Sequence, residues 1–256
     1  MEIQFVLTLI SGVLVAGASG LVGSFLVLRK MTLLSDALSH VALPGIAIGV
    51  LLKFEPLIGG LLFLFFGILL IWGIEYKTRL AIESITGVLF VTALAVGSVL
   101  MPQSEILETF FGSVEKITIP EIILQSVLAI FVIVMAARYL KSLIITSIAP
   151  DLGAADGISQ AKMELLLLVL IALTITIGIS FVGILLMSAL SIIPAAAARN
   201  FSKNYKTFLV LSVILAIVSL SGGLILNQVW NIGPGIATVL ISAFIFVVSL
   251  FAKTRS

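Results

Sequence analysis

Asp36 and His40 are the residues of this chain best equipped for chemistry. They stand at i and i+4 in "LLSDALSHVALPG", residues 33–45. On a helix that spacing puts both side chains on one face, with β-carbons about 6 Å apart. Ser35 and Ser39 each stand one position earlier, and His40 is the only histidine in the chain. Pro44 follows one turn later and has no N–H, so the carbonyl of residue 40 loses its usual helical partner. A carboxylate oxygen, an imidazole nitrogen and a spare carbonyl oxygen within one turn are ligands for a divalent cation. The same pair would serve a proton relay, since histidine side chains titrate near neutrality. It would also serve as a buried ion pair that orients two helices.

The elements that position these residues belong to a membrane protein. Of 256 residues, 61% are hydrophobic and only 10% charged, and the mean hydropathy is +1.34. Soluble domains carry roughly 25% charged residues. Cysteine is absent, which excludes a disulfide framework, a thiolate metal site and a thiol nucleophile. No G-x-x-x-x-G-K-[ST] loop is present to cradle a nucleotide. The opening "MEIQFVLTLI" lacks a basic region and is expected to start a mature span. The whole of 1–256 is expected to form a single transmembrane domain with no separate soluble part.

A spanning helix needs about 20 apolar residues. Punctuation at charges and prolines predicts an all-α polytopic fold with nine spans, near 3–28, 31–52, 57–74, 84–101, 119–140, 164–180, 182–198, 207–226 and 234–252. The stretch 164–198 is too long for one helix and short for two, so eight spans are the alternative, and an abbreviated or re-entrant piece is a third option. With the C-terminus in the cytoplasm and the N-terminus outside, Arg29, Lys30, Lys77, Arg79, Arg138, Lys141, Lys162, Arg199, Lys203, Lys206, Lys253 and Arg255 all fall in the cytoplasm. Only Lys53 and Lys116 fall outside, which is the asymmetry expected of cytoplasmic loops. Merging 164–198 into one span would move "RNFSKNYK" outside, which favours nine. Asp36 then lies about 10 Å and His40 about 16 Å past Arg29 along the second span. A carboxylate there is costly in hydrocarbon, so such residues face a bundle interior or a water-filled path.

Two other stretches carry information. "SIAPDLGAADGISQAKMELLLL" interrupts the apolar pattern on the cytoplasmic side. Pro150 starts a short helix, Asp151 is expected to cap it and Gly157 to end it. It is either a plain connection or a helix that docks on a cytoplasmic partner. In "GISFVGILLMSALSIIPAAAARNFSKNY", Pro194 falls inside an apolar run ahead of Ala195–Ala198. Pro44 and Pro194 are the expected helix breaks. Glycines 12, 17, 20, 23, 178 and 183 are expected at close helix contacts.

Three segments together resemble the zinc/manganese/iron permease family of bacterial ABC importers: "GSFLVLRKMTLLSDALSHVALPGIAIG", "SIAPDLGAADGI" and "FVGILLMSALSIIPAAAAR". The resemblance extends from about Ile10 to Ala252. It implies a fold similar to the cobalamin and siderophore permeases and a homodimer with its path along the dimer axis. A separate cytoplasmic ABC ATPase and an extracytoplasmic metal-binding protein are the implied partners. Asp36 and His40 match the metal-handling pair. Pro150, Asp151, Ala154, Ala155 and Gly157 fall in the segment that couples to the ATPase. The expected role is a transport subunit of the cell membrane, not an enzyme, with no permanently bound cofactor and no nucleic-acid partner. Its cargo is zinc, manganese or iron. Two rivals remain open on the residues alone. One is a proton- or cation-coupled secondary transporter that uses Asp36 and His40 as a relay. The remote one is an intramembrane serine hydrolase with His40 as base and Ser180 or Ser188 as nucleophile, although no G-x-S-x-G elbow is present.

Overall fold

The computed structural model describes residues 2–78, 80–112 and 117–251. The chain runs through α1 (Glu2–Leu28), α2 (Thr32–Leu52), α3 (Pro56–Thr78), α4 (Ile82–Leu100), a 3-10 turn (Gln103–Glu105) and α5 (Ile106–Phe111). It continues through α6 (Ile119–Arg138), α7 (Leu140–Ile148), α8 (Pro150–Ala155), α9 (Gln160–Val182), α10 (Met187–Phe201), α11 (Tyr205–Trp230) and α12 (Pro234–Phe251). Among the described residues, eight helices are long and apolar enough to cross a membrane. The stretch 164–198 is therefore not one helix. It divides into a full-length α9 and an abbreviated α10 of 15 residues. α10 lies along α12 between two fixed points. Gly235 packs on the Val182 carbonyl just before α10, and Asn200 Nδ2 donates to Ser249 Oγ at 2.9 Å near its end. At 15 residues it is shorter than any of the eight candidate spans.

Neither proline breaks its helix. α2 continues through Pro44 and α10 through Pro194. In a packed bundle, neighbouring helices and local adjustments re-satisfy the backbone groups that a proline releases. The interruption falls instead at residues 183–186, where Gly183 adopts φ 83° and ψ 163°, a conformation nearly confined to glycine. The opened backbone is not left unpaired. Ile184 N–H donates to the Thr109 carbonyl at 2.9 Å, and Leu185 N–H donates to the Phe110 carbonyl at 3.2 Å. The residues around α5 therefore stitch the break shut.

Charge separates the two ends of the bundle. Arg29, Lys30, Lys77, Arg138, Lys141, Lys162, Arg199, Lys203 and Lys206 gather at one end, hereafter the basic end. Lys53, Glu55, Glu105 and Glu121 lie at the other, the acidic end. Arg79, Lys116, Lys253 and Arg255, four charges of the topology count, lie outside the described residues.

The core sits around α2 and α9. Each has 78% of its apolar window buried, against 28% for α4 and α6. Lipid is as apolar as leucine, so close fit, not hydrophobicity, selects these contacts. Gly23 shows the requirement: a β-carbon there would collide with the Ser191 carbonyl, so α1 and α10 meet backbone to backbone. The adjoining hydroxyls of Ser19 and Ser191 bond to each other at 2.8 Å.

At the basic end, Pro150 opens α8 as expected, but Asp151 does not cap it. Ala149 occupies the N-cap, and Asp151 sits in the first turn, where a carboxylate complements the positive helix start. Gly157 ends α8 as predicted. It has φ 74°, and the bonds from Ile158 N–H to Gly153 and from Gly157 N–H to Ala154, 2.9 and 3.1 Å, form a Schellman closure.

Candidate functional site

α2 begins at Thr32, so Asp36 stands about 6 Å and His40 about 12 Å along the helix. The two form one unit. His40 Nδ1 lies 3.0 Å from the backbone carbonyl oxygen of Asp36. A carbonyl only accepts, so this bond places the hydrogen on Nδ1. In the neutral ring, Nε2 then carries the lone pair, which is how protein matrices prepare histidine for a metal. The ring is buried at 6% exposure, and the Phe90 ring of α4 meets it edge-on with centroids 4.9 Å apart.

The carboxylate is fixed from another helix. Ser188 Oγ donates to Asp36 Oδ1 at 2.8 Å. Ser188 lies in the first turn of α10, where unpaired N–H groups and the helix dipole favour an anion. A half-buried carboxylate inside an apolar bundle is thus stabilised by a hydroxyl and a helix start, and its second oxygen is left for another partner. The break at residues 183–186 is what brings a helix start to Asp36.

The residues proposed as a serine hydrolase do not converge. Ser188 directs its hydroxyl to Asp36, and the His40 hydrogen bond goes to the Asp36 carbonyl. Ser180 lines a different cavity, together with Glu55, Glu105 and Glu121 at the acidic end. Among the described residues, no three His, Cys, Asp or Glu side chains are placed to hold one metal ion. One chain could supply two ligands at this candidate metal site, Asp36 and His40.

Asp36 also lines a cavity of about 240 Å³ between α2 and α4, with Lys30, Glu83 and Thr86 as its other polar residues. Phe90 and Thr86 carry no signal in the sequence as neighbours of this pair. From the sequence, Ser188 is legible only as a possible nucleophile for His40, not as the partner of Asp36.

The coupling residues do not meet this site. Leu152 and Ile148 are exposed on and beside α8, as are Pro150, Asp151, Ala154 and Ala155. Behind α8, Arg29 is half-buried and ties the end of α1 to α7. Its Nε donates to Ser147 Oγ at 2.9 Å and its Nη2 to Thr146 Oγ1 at 3.0 Å.

A bundle of abutting membrane helices, with one carboxylate and one imidazole held ready inside it, has the build of a membrane permease. The model of the ABC 3 transport family matches residues 3–253, and the chain belongs to that family. It is 33% identical over 253 residues to the high-affinity zinc uptake system membrane protein ZnuB of Haemophilus influenzae, covering 96% of this chain and 97% of that one. It is 30% identical over 252 residues to the manganese transport system membrane protein MntC of Listeria monocytogenes, covering 96% and 90%. Among solved structures, PsaBC from Streptococcus pneumoniae in complex with Fab is similar, with a TM-score of 0.87 and 26% identity over 99% of this chain and 97% of that one.

Proposed function

We propose that this chain is the membrane permease subunit of an importer of divalent metal ions, with zinc, manganese or iron as cargo. The observation that carries the reading is the Ser188–Asp36–His40 unit: a carboxylate with one oxygen still available and an imidazole with Nε2 facing away from its hydrogen bond. Relatives named for zinc and for manganese uptake support the same cargo class. The basic end faces the cytoplasm, in keeping with the distribution of lysine and arginine. The N-terminus lies outside and the C-terminus inside. A metal-binding protein delivers its ion to the acidic end, and a separate ATPase chain takes up the exposed face of α8. In a homodimer two copies of the unit bring two carboxylates and two imidazoles to one path, enough to hold a cation and few enough to release it. The chain acts as one permease domain and catalyses no covalent step itself.

The test is whole-cell metal content by element, in cells with this chain, with Asp36→Asn, with His40→Ala and without the chain. Accumulation of one of the three metals in the first case only, lost on ATP depletion, is the expected result. Equal content in all four overturns the reading. Uptake that survives ATP depletion and collapses with the proton gradient assigns the pair to a relay instead. The docking of α8 is checked separately: Leu152→Asp should reduce co-purification of the ATPase, and unchanged co-purification would make α8 a plain connection.

A further inference from the structure

Thr86 departs from a habit that four other buried threonines of this chain share. Thr146, Thr174, Thr176 and Thr238 each donate to the carbonyl four residues earlier, at 2.7–2.9 Å. Thr86 is 3% exposed, yet its Oγ1 has no hydrogen-bond partner among the described residues. The Ile82 carbonyl stands in the corresponding position. A buried hydroxyl without a partner is costly, and this one lines the cavity between α2 and α4 that Asp36 also lines.

The remaining polar groups of that cavity are Lys30 and Glu83. Glu83 and Thr86 stand at i and i+3 on α4, with Phe90 a turn further along the same face. Two carboxylates against one ammonium leave the cavity net negative. Its volume of about 240 Å³ accommodates a cation with several waters, each occupying about 30 Å³. It extends from Lys30 to Ala37 along α2 and so lies on the basic-end side of His40. A cation that leaves the imidazole for the basic end meets this space next.

We infer that this cavity is a second cation station, in which a partly hydrated divalent ion is held by the Asp36 carboxylate and the Thr86 hydroxyl, with Glu83 reaching it through water at the mouth. The inference rests on the import reading and adds a position and a preference to it. The station offers only oxygen, which suits manganese and iron, whereas imidazole suits zinc as well. Thr86 thereby biases passage toward the harder ions.

Initial uptake of radiolabelled manganese and of zinc by cells carrying the full chain and its ATPase tests this. Thr86→Val keeps shape and volume and removes the hydroxyl. It should lower manganese uptake about tenfold and zinc uptake less, and Thr86→Ser should restore manganese. Glu83→Gln should lower manganese uptake by a smaller factor. If Thr86→Val and Glu83→Gln both match the parent for manganese while Asp36→Asn is inactive, the station is wrong and the import reading stands. If Asp36→Asn also transports normally, both fall. If Thr86→Ser is as impaired as Thr86→Val, the residue acts through packing, and its role as a ligand is overturned.

Discussion

Two cavities sit at opposite ends of α2 and treat carboxylates differently. At the acidic end, Glu55, Glu105 and Glu121 line a cavity of about 170 Å³. Burial, and then a hydrogen bond shared with Glu121, pushes the Glu55 carboxyl above the usual carboxylate range. At the basic end a single buried-side carboxylate, Asp36, is held by Ser188 at 2.8 Å beside the start of α10. Glu55 therefore holds its proton more readily than an exposed carboxyl. A fixed donor and a helix start hold Asp36 in a single orientation, as its proposed role as a ligand requires. The same side chain chemistry thus yields a proton-holding carboxyl at one end and a positioned carboxylate at the other.

The contrast is broken most directly at Asp36. Asp36→Asn or His40→Ala should reduce metal accumulation at least about 100-fold while the protein still reaches the membrane. Glu105→Gln should cost severalfold at most. Equal losses at the two ends would erase the distinction. Ser188→Ala comes next. It leaves the ligand in place and removes what orients it, so uptake should fall about tenfold, with Ser188→Thr recovering part of it. No change would mean that the hydroxyl merely fills space. Smallest is the effect of Glu55→Gln, which belongs to stability. A carboxyl whose folded range lies above its unfolded range stabilises the fold fully when protonated. That contribution is lost as pH rises from the ordinary carboxylate range through the raised range of Glu55. Thermal melting should therefore show the parent losing stability across that window and Glu55→Gln losing less. Parallel pH profiles would show that the acidic end does not crowd its charges.

Much of this was legible in the sequence because hydrocarbon is a demanding solvent. A helix of 32–52 follows from apolar length, and Asp36 and His40 announce themselves as expensive residues at i and i+4. The break before α10 was misplaced because proline is the louder signal. Pro44 and Pro194 remove one donor each, and surrounding helices absorb the loss. Gly183 is quieter, and its importance lies in a backbone conformation that depends on Thr109 and Phe110 being nearby. The tie from Ser188 to Asp36 and the role of Thr86 were illegible for a related reason. Small hydroxyl residues are common in membrane helices, and only the fold reveals that one meets a carboxylate and another meets nothing.

The four residues between α9 and α10 have an electrical consequence. They place the start of a 15-residue helix, equivalent to about half a positive charge, near the Asp36 carboxylate. At ~4 Å and an effective dielectric of ~20, half a charge is worth about 2 kcal/mol to a unit anion; at ~6 Å it is worth about 1.4. A slide of that size changes the field at Asp36 by roughly the equivalent of a threefold change in ion affinity. Because the turn is pinned to the carbonyls of Thr109 and Phe110, any shift of α5 would be felt at Asp36 as a change of local voltage.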